Sequence, residues 1–211
     1  MTDWYPLHPE HPEPEPVAQV ARRLQAGGVF AIPTDTIYGL AANPLHVPAV
    51  ERIYEMKGRN AAKALPLLVP SLDWARELSR ELPPLFLTLA QVFWPGPLTL
   101  IVKAAPELPR EVTAGSGNVA LRWPRAPIAL ALMQAAGMAL TATSANRSGW
   151  PECATPEEVE HQLGGQLDGI VAGGPSAGRQ SSTLVDLTRQ PALVVREGVI
   201  ARAVLAPYLA G

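Results

Sequence analysis

VFAIPTDTIYGL, residues Val29 to Leu40, changes character in its middle. Val29 to Ile32 is an unbroken apolar run of strand composition, and Pro33 ends it. Thr34, Asp35, Thr36 and Tyr38 follow directly. A strand that stops at a proline turn and releases clustered hydroxyls is how an α/β protein delivers polar groups to the rim of its sheet. A strand followed by an ordinary polar turn has the same composition. What favours the first reading is recurrence, because four later segments are built alike. Val119 to Leu121 runs into Arg122, and Ala139 to Thr143 runs into Ser144-Ala145-Asn146. Gly169 to Ala172 runs into GGPSAGRQSST, and Leu193 to Val195 ends on Arg196.

Helical patterns lie between these strands. Val17, Val20, Ala21 and Leu24 recur at helical spacing over Val17 to Ala26, and Gly27-Gly28 ends them. Val47 to Lys57 repeats the pattern, with Lys57 where a helix dipole favours a cation. Ser71 is a candidate N-cap, Pro84 to Phe93 and Pro127 to Ala136 are apolar helices, and Thr155-Pro156-Glu157-Glu158 is a helix start. Leu65 to Val69, Leu98 to Val102 and Leu184 to Leu187 complete the strands, and Ile200 to Leu209 is a last helix. Residues 1–16, rich in Pro, Glu and His, read as a leader of low order. Residues 17–211 read as one domain on a mixed α/β sheet.

Composition removes several function classes. Hydrophobic content of 47% against 17% charged residues supplies a core, yet no apolar run is long enough to cross a bilayer. The acidic, Pro-rich start is unlike a signal peptide, so a soluble cytoplasmic protein is expected. One cysteine, Cys153, excludes an internal disulfide and a cysteine-rich zinc site. His8, His11, His46 and His161 show no metal-ligand spacing. A net charge of −2 argues against indiscriminate nucleic-acid binding. Of the lysines, Lys57 and Lys63 flank Arg59 in the loop KGRNAAKALPLLV. Such a cluster suits a polyphosphate clamp, and a solvated basic loop remains the open alternative.

Seven motifs stand in one order: PTDTIYGL at Pro33 to Leu40, KGR at Lys57 to Arg59 with Lys63 beyond, and WPGPLT at Trp94 to Thr99. VALRWP at Val119 to Pro124, TSAN at Thr143 to Asn146, SST at Ser181 to Thr183 and REG at Arg196 to Gly198 complete the set. Each is weak alone. Together, over about residues 17 to 200, they resemble the YrdC-like family, and within it the threonylcarbamoyl-AMP synthases in a short, single-domain form. The resemblance implies a twisted mixed sheet with flanking helices and a concave basic cleft. It implies a nucleotidyltransferase that makes L-threonylcarbamoyl-AMP and pyrophosphate from L-threonine, bicarbonate and ATP, with Mg²⁺ carried by ATP. The product would pass to a separate tRNA-modifying transferase complex, which forms threonylcarbamoyladenosine.

Carried over by resemblance, Lys57 and Arg59 are the catalytic cations. Arg59, Lys63, Asn118, Ser144, Asn146 and Arg196 bind ATP. Thr36, Tyr38, Arg122 and Ser182 bind threonine. Two departures stand out: Asn60 and Ala64 replace the family's usual loop prolines, which suggests a less rigid loop. Leu68 or a neighbour stands where some members carry a histidine, so that histidine's threonine contacts do not transfer. The alternatives are a module that binds double-stranded RNA or tRNA without chemistry, and a carbamoyl transferase related to hydrogenase-maturation enzymes. A paralogue group that keeps the fold but lacks the K-x-R and S-x-N signatures is a third.

Overall fold

The computed structural model describes residues 2–209. Its elements in chain order are β1 (Asp3–Pro6), α1 (Pro14–Gln25), β2 (Phe30–Ile32), β3 (Gly39–Ala41) and α2 (Val47–Lys57). Next come β4 (Leu67–Leu68), α3 (Leu72–Glu77), α4 (Pro84–Phe93), β5 (Leu98–Lys103), α5 (Arg110–Thr113), β6 (Asn118–Arg122) and α6 (Pro127–Ala136). The chain continues with β7 (Leu140–Thr141), β8 (Thr143–Ser144), α7 (Pro156–Leu163), β9 (Gly169–Ala172), β10 (Thr183–Asp186), β11 (Leu193–Arg196) and α8 (Arg202–Leu209).

The mixed α/β class matches expectation, but the strands divide between two sheets rather than one. Sheet one has the order β1-β9-β2-β3-β8 and sheet two β11-β10-β5-β6-β4-β7. Each combines parallel and antiparallel pairs, such as β2 parallel to β9 and antiparallel to β3. One extended segment joins them. Leu140–Thr141 pairs with β4 of sheet two, and Thr143–Ser144 pairs with β3 of sheet one. At the crossover the Thr141 hydroxyl donates to Leu40 O at 2.9 Å and accepts from Ala42 N at 2.9 Å. A sequence pattern reports which faces of a strand are buried, not which sheet it joins, so the division was invisible in it.

Burial on both faces explains the unbroken apolar run before Pro33. Phe30 and Ile32 pack with Leu24 of α1 and Leu132 of α6, while Val29 and Ala31 belong to the larger core with Ile53 of α2. Each fully buried side chain of this size contributes about 1.5–3 kcal/mol. Val17, Val20, Ala21 and Leu24 form the buried face of α1, as their spacing predicts. The C-cap of α2 is Gly58 at φ 56°. Thr155 and Glu158 form a reciprocal capping box at α7.

Residues 2–16 differ from the expected leader of low order. Asp3–Pro6 is a strand parallel to β9, Tyr5 packs edge-on against Phe30, Leu7 is buried, and α1 begins at Pro14. Their stabilising partners lie some 160 residues away, which composition cannot register. The first residue of the expected leader and the last two of the expected domain lie outside the described residues.

Candidate active site

The turn after β2 is tied by its own hydroxyls. Thr34 Oγ1 donates its proton to Ile37 O at 2.7 Å. The 3.0 Å contact between Thr34 Oγ1 and Thr36 Oγ1 is therefore donated by Thr36. Thr36 Oγ1 in turn accepts from the Arg122 guanidinium at 2.9 Å. Its proton being committed, Thr36 offers a ligand only an acceptor.

Beside this turn, sheet two lines a cavity of about 380 Å³. Its cavity face is built in rows. Ser182, Thr99 and Arg122 form a polar row, with Ser182 Oγ 2.7 Å from Thr99 Oγ1. Leu184, in register with Thr99, borders Ile101 and Ala120 as an apolar strip, and Ile101 pairs directly with Ala120. Lys103 and Asn118 pair one step further along the same two strands. Val195 and Leu68 extend the apolar lining. The rest of the wall comes from Thr34, Thr36 to Gly39, Ala142 to Ser144, Glu152, Ser181, Arg196 and the basic loop.

Thr36, Tyr38, Arg59, Lys63, Arg122, Ser144, Ser182 and Arg196 all line this one cavity. Arg59 is held by Lys63 O at 3.2 Å and Ala64 O at 3.0 Å, and reaches Thr143 Oγ1 at 3.4 Å. Within the loop, the Asn60 side chain accepts from Ala62 N at 2.8 Å. Arg196 donates to Ser182 O at 2.9 Å. Burial lowers the pKa of Arg59, and the Arg196 charge adds to that effect. Burial likewise lowers that of Arg196, with Arg122 adding and Glu152 opposing. Crowded, partly desolvated cations favour an incoming anion. The Tyr38 hydroxyl donates to Gly174 O at 2.7 Å, and burial raises its pKa.

Arg122 is only partly free. Its guanidinium donates to Gly96 O at 3.0 Å, to Thr36 and to Asp35 Oδ1 at 2.5 Å. The Arg122 and Asp35 side chains are 8% and 12% exposed, so the pair is a buried one. Of the five N–H bonds of a guanidinium, two remain for a ligand.

Lys57, Asn118 and Asn146 do not line the cavity. The Lys57 ammonium is buried and donates to Ser144 O, to Asn146 O at 2.6 Å and to Asn146 Oδ1 at 3.3 Å. All three of its protons are spent on the TSAN segment, which makes it a positioning residue in this geometry. Asn146 uses its amide on Arg147 O at 3.0 Å and Trp150 O at 2.6 Å. Asn118 stands beyond the apolar strip with its Oδ1 buried and unpartnered.

Sequence reasoning passed over Asp35 as a partner of Arg122, along with Thr99, Ser181 and Glu152. Asp35 and Thr99 stood inside quoted motifs and Ser181 opened SST, whereas nothing in the sequence marked Glu152. Among the described residues, no group of three or more His, Cys, Asp or Glu is placed to hold a metal ion. No described helix is long and apolar enough to cross a membrane.

The Sua5/YciO/YrdC family model, described as telomere recombination, matches residues 22–198. The chain belongs to this family. A Bacillus subtilis member named threonylcarbamoyl-AMP synthase is 40% identical over 187 residues, covering 88% of this chain and 54% of that protein. The chain thus spans about half the length of that relative. The crystal structure of Pyrococcus abyssi Sua5 complexed with L-threonine superposes with a TM-score of 0.94 at 34% identity, covering 98% of this chain and 61% of that one. Escherichia coli YciO superposes with a TM-score of 0.89 at 29% identity, covering 99% of this chain and all 100% of that one.

Within the family domain, SST and REG clasp each other. Thr183 Oγ1 accepts from Gly198 N at 2.9 Å and donates to Ile200 O at 2.6 Å. A Cβ on Gly198 would lie 2.1 Å from Ser181 O and 2.6 Å from the Ser182 carbonyl carbon. Gly198→Ala is therefore expected to lower stability by about 1–3 kcal/mol and to move Arg196 off Ser182. Urea denaturation measures the first effect. Unchanged stability would show that the clasp yields without penalty.

Proposed function

We propose that this chain is an L-threonylcarbamoyl-AMP synthase acting in the cytoplasm on L-threonine, bicarbonate and ATP. One observation carries this reading: a single cavity sets Arg122 and the hydroxyls of Ser182 and Thr99 beside the cations Arg59, Lys63 and Arg196, with an apolar strip along the same sheet. The names of the relatives and the L-threonine in the Pyrococcus structure support it.

Arg122 has two N–H bonds left for the threonine carboxylate, a match to its planar fork. Thr36, an acceptor only, suits the amino or hydroxyl donors of threonine. Ser182 and Thr99 close that end. The adenosine lies along Ile101, Ala120 and Leu184, with the Asn118 Oδ1 as an acceptor at the far rim. Arg59, Lys63 and Arg196 take the phosphates. Lys57 and Asn146 act by holding Ser144 at the wall.

The chemistry needs alignment more than a protein nucleophile. The threonine amine and bicarbonate combine with loss of water to a carbamate. A carbamate oxygen then bonds to the α-phosphorus as the bond to the bridging oxygen breaks, and pyrophosphate leaves. Positioning of the two reactants and neutralisation of the departing charge supply the acceleration. Mg²⁺ bound with ATP supplies further neutralisation on the phosphates, a role that needs only one or two protein carboxylates. The product then passes to a separate transferase complex that modifies the adenosine beside the tRNA anticodon.

The test is pyrophosphate release in bicarbonate-depleted buffer with each substrate added in turn. Release is expected only with threonine and bicarbonate together. Serine, lacking one methyl worth roughly 1 kcal/mol of contact, should be about fivefold poorer. Equal release in all conditions reduces the protein to an ATP hydrolase, and release with carbamoyl phosphate alone favours a carbamoyl transferase.

A further inference from the structure

The cavity wall contains one acid. Glu152, exposed on the segment between Asn146 and α7, lines it together with Arg59, Lys63 and Arg196. Asp35 already neutralises Arg122. Glu152 has no equivalent partner: among the described residues its carboxylate makes no hydrogen bond or ion pair. It is nevertheless close enough to favour the charged forms of Lys57 and Arg196. A free carboxylate therefore sits among the cations of the cavity.

For bare ATP such a carboxylate is unfavourable, since it repels the phosphates that the cations attract. The repulsion reverses when a divalent cation accompanies the triphosphate. Mg²⁺ keeps several waters and is bound by one or two carboxylates together with substrate phosphates, so one side chain suffices. We propose that Glu152 is the protein's ligand for the Mg²⁺ of Mg·ATP, directly or through a coordinated water, and selects the metal-loaded nucleotide over the free one. This rests on the reading of the cavity as an ATP site. A carboxylate that bonded the ribose hydroxyls instead belongs beside the apolar strip, where the nucleoside lies, and not among the phosphate-binding cations.

The experiment is calorimetric titration of the whole protein with ATP, with Mg²⁺ and with EDTA, for the wild type and Glu152→Gln. With Mg²⁺ the variant should bind about tenfold more weakly, as expected when a metal contact is lost. With EDTA it should bind about threefold more tightly, because a like charge has been removed. That opposite sign in the two buffers is the expected result. Weakening of similar size in both, or tightening in both, overturns the metal role. Loss of the effect with 2′-deoxy-ATP also overturns it and assigns the carboxylate to the ribose. Failure of the wild type to bind ATP in either buffer is a different result, and it overturns the nucleotide site itself.

Discussion

Arg122→Ala is expected to lower the unfolding free energy by about 3–5 kcal/mol, because it leaves a buried carboxylate without its partner. Asp35 is 12% exposed, and its Oδ1 lies 2.5 Å from the Arg122 guanidinium. The same substitution strips the donor from Gly96 O and from Thr36 Oγ1. Chemical denaturation measures the loss. Removing Asp35 as well should restore part of it, with a coupling of about 1–3 kcal/mol. Arg122→Lys separates fold from recognition. An ammonium keeps the charge but cannot serve Asp35, Thr36, Gly96 and a substrate carboxylate from one plane. That variant should fold, and its KM for threonine should rise at least tenfold, about the effect of one charge-assisted contact. An unchanged KM would place the threonine carboxylate elsewhere, and wild-type stability of Arg122→Ala would deny the buried pair its structural role.

Lys57→Met is the second substitution with a large expected effect. Methionine fills much of the same volume but leaves Ser144 O, Asn146 O and Asn146 Oδ1 without their donor. Each unsatisfied buried acceptor costs about 1–3 kcal/mol, so a loss of about 3 kcal/mol or more is expected at neutral pH. The variant also carries a pH signature. Burial, and next the Arg59 charge, lower the Lys57 pKa from 10.5 to about 8. Between those two values the unfolded chain keeps the proton that the folded chain has released. Wild-type stability should therefore gain up to about 1.4 kcal/mol per pH unit through that window, and be flat in this respect below it. Lys57→Met lacks the titrating group, so its deficit should widen as pH rises from about 8. A deficit that narrows over that range would contradict the lowered pKa, and no deficit at all would contradict the assignment of Lys57 as the pin of the TSAN segment.

Local features were readable in proportion to how local their causes are. The buried face of α1 follows from the spacing of Val17, Val20, Ala21 and Leu24. The capping box of α7 follows from Thr155 and Glu158, three residues apart, and the stop of α2 from Gly58. The apolar run at Val29 to Ile32 announced a strand. Ser144 and Arg196 were recognisable as polar groups at strand ends and Arg59 and Lys63 as cations of one loop, and the cavity brings them together. β1 escaped notice because a four-residue strand in a Pro-rich segment is stabilised by β9, far along the chain. Nor did α5 or β3 announce itself, since a single turn of helix or three residues of strand carry no period.

The identity of the polar residues at each strand end, their order and the alternation that aims them were settled by the sequence, because these depend on neighbours within a few residues. How each group spends its hydrogen bonds was settled only in three dimensions. Lys57 and Arg59 look equivalent in KGR. Folding turns Lys57 inward, where three oxygens consume its protons, and leaves Arg59 at the cavity wall. Arg122 looked like an unpaired fork until Asp35 closed on it, and Glu152 looked like any surface acid until the chain brought it among cations. A donor's availability is what remains after its spatial neighbours have been satisfied, and those neighbours come from strands and loops distant in sequence.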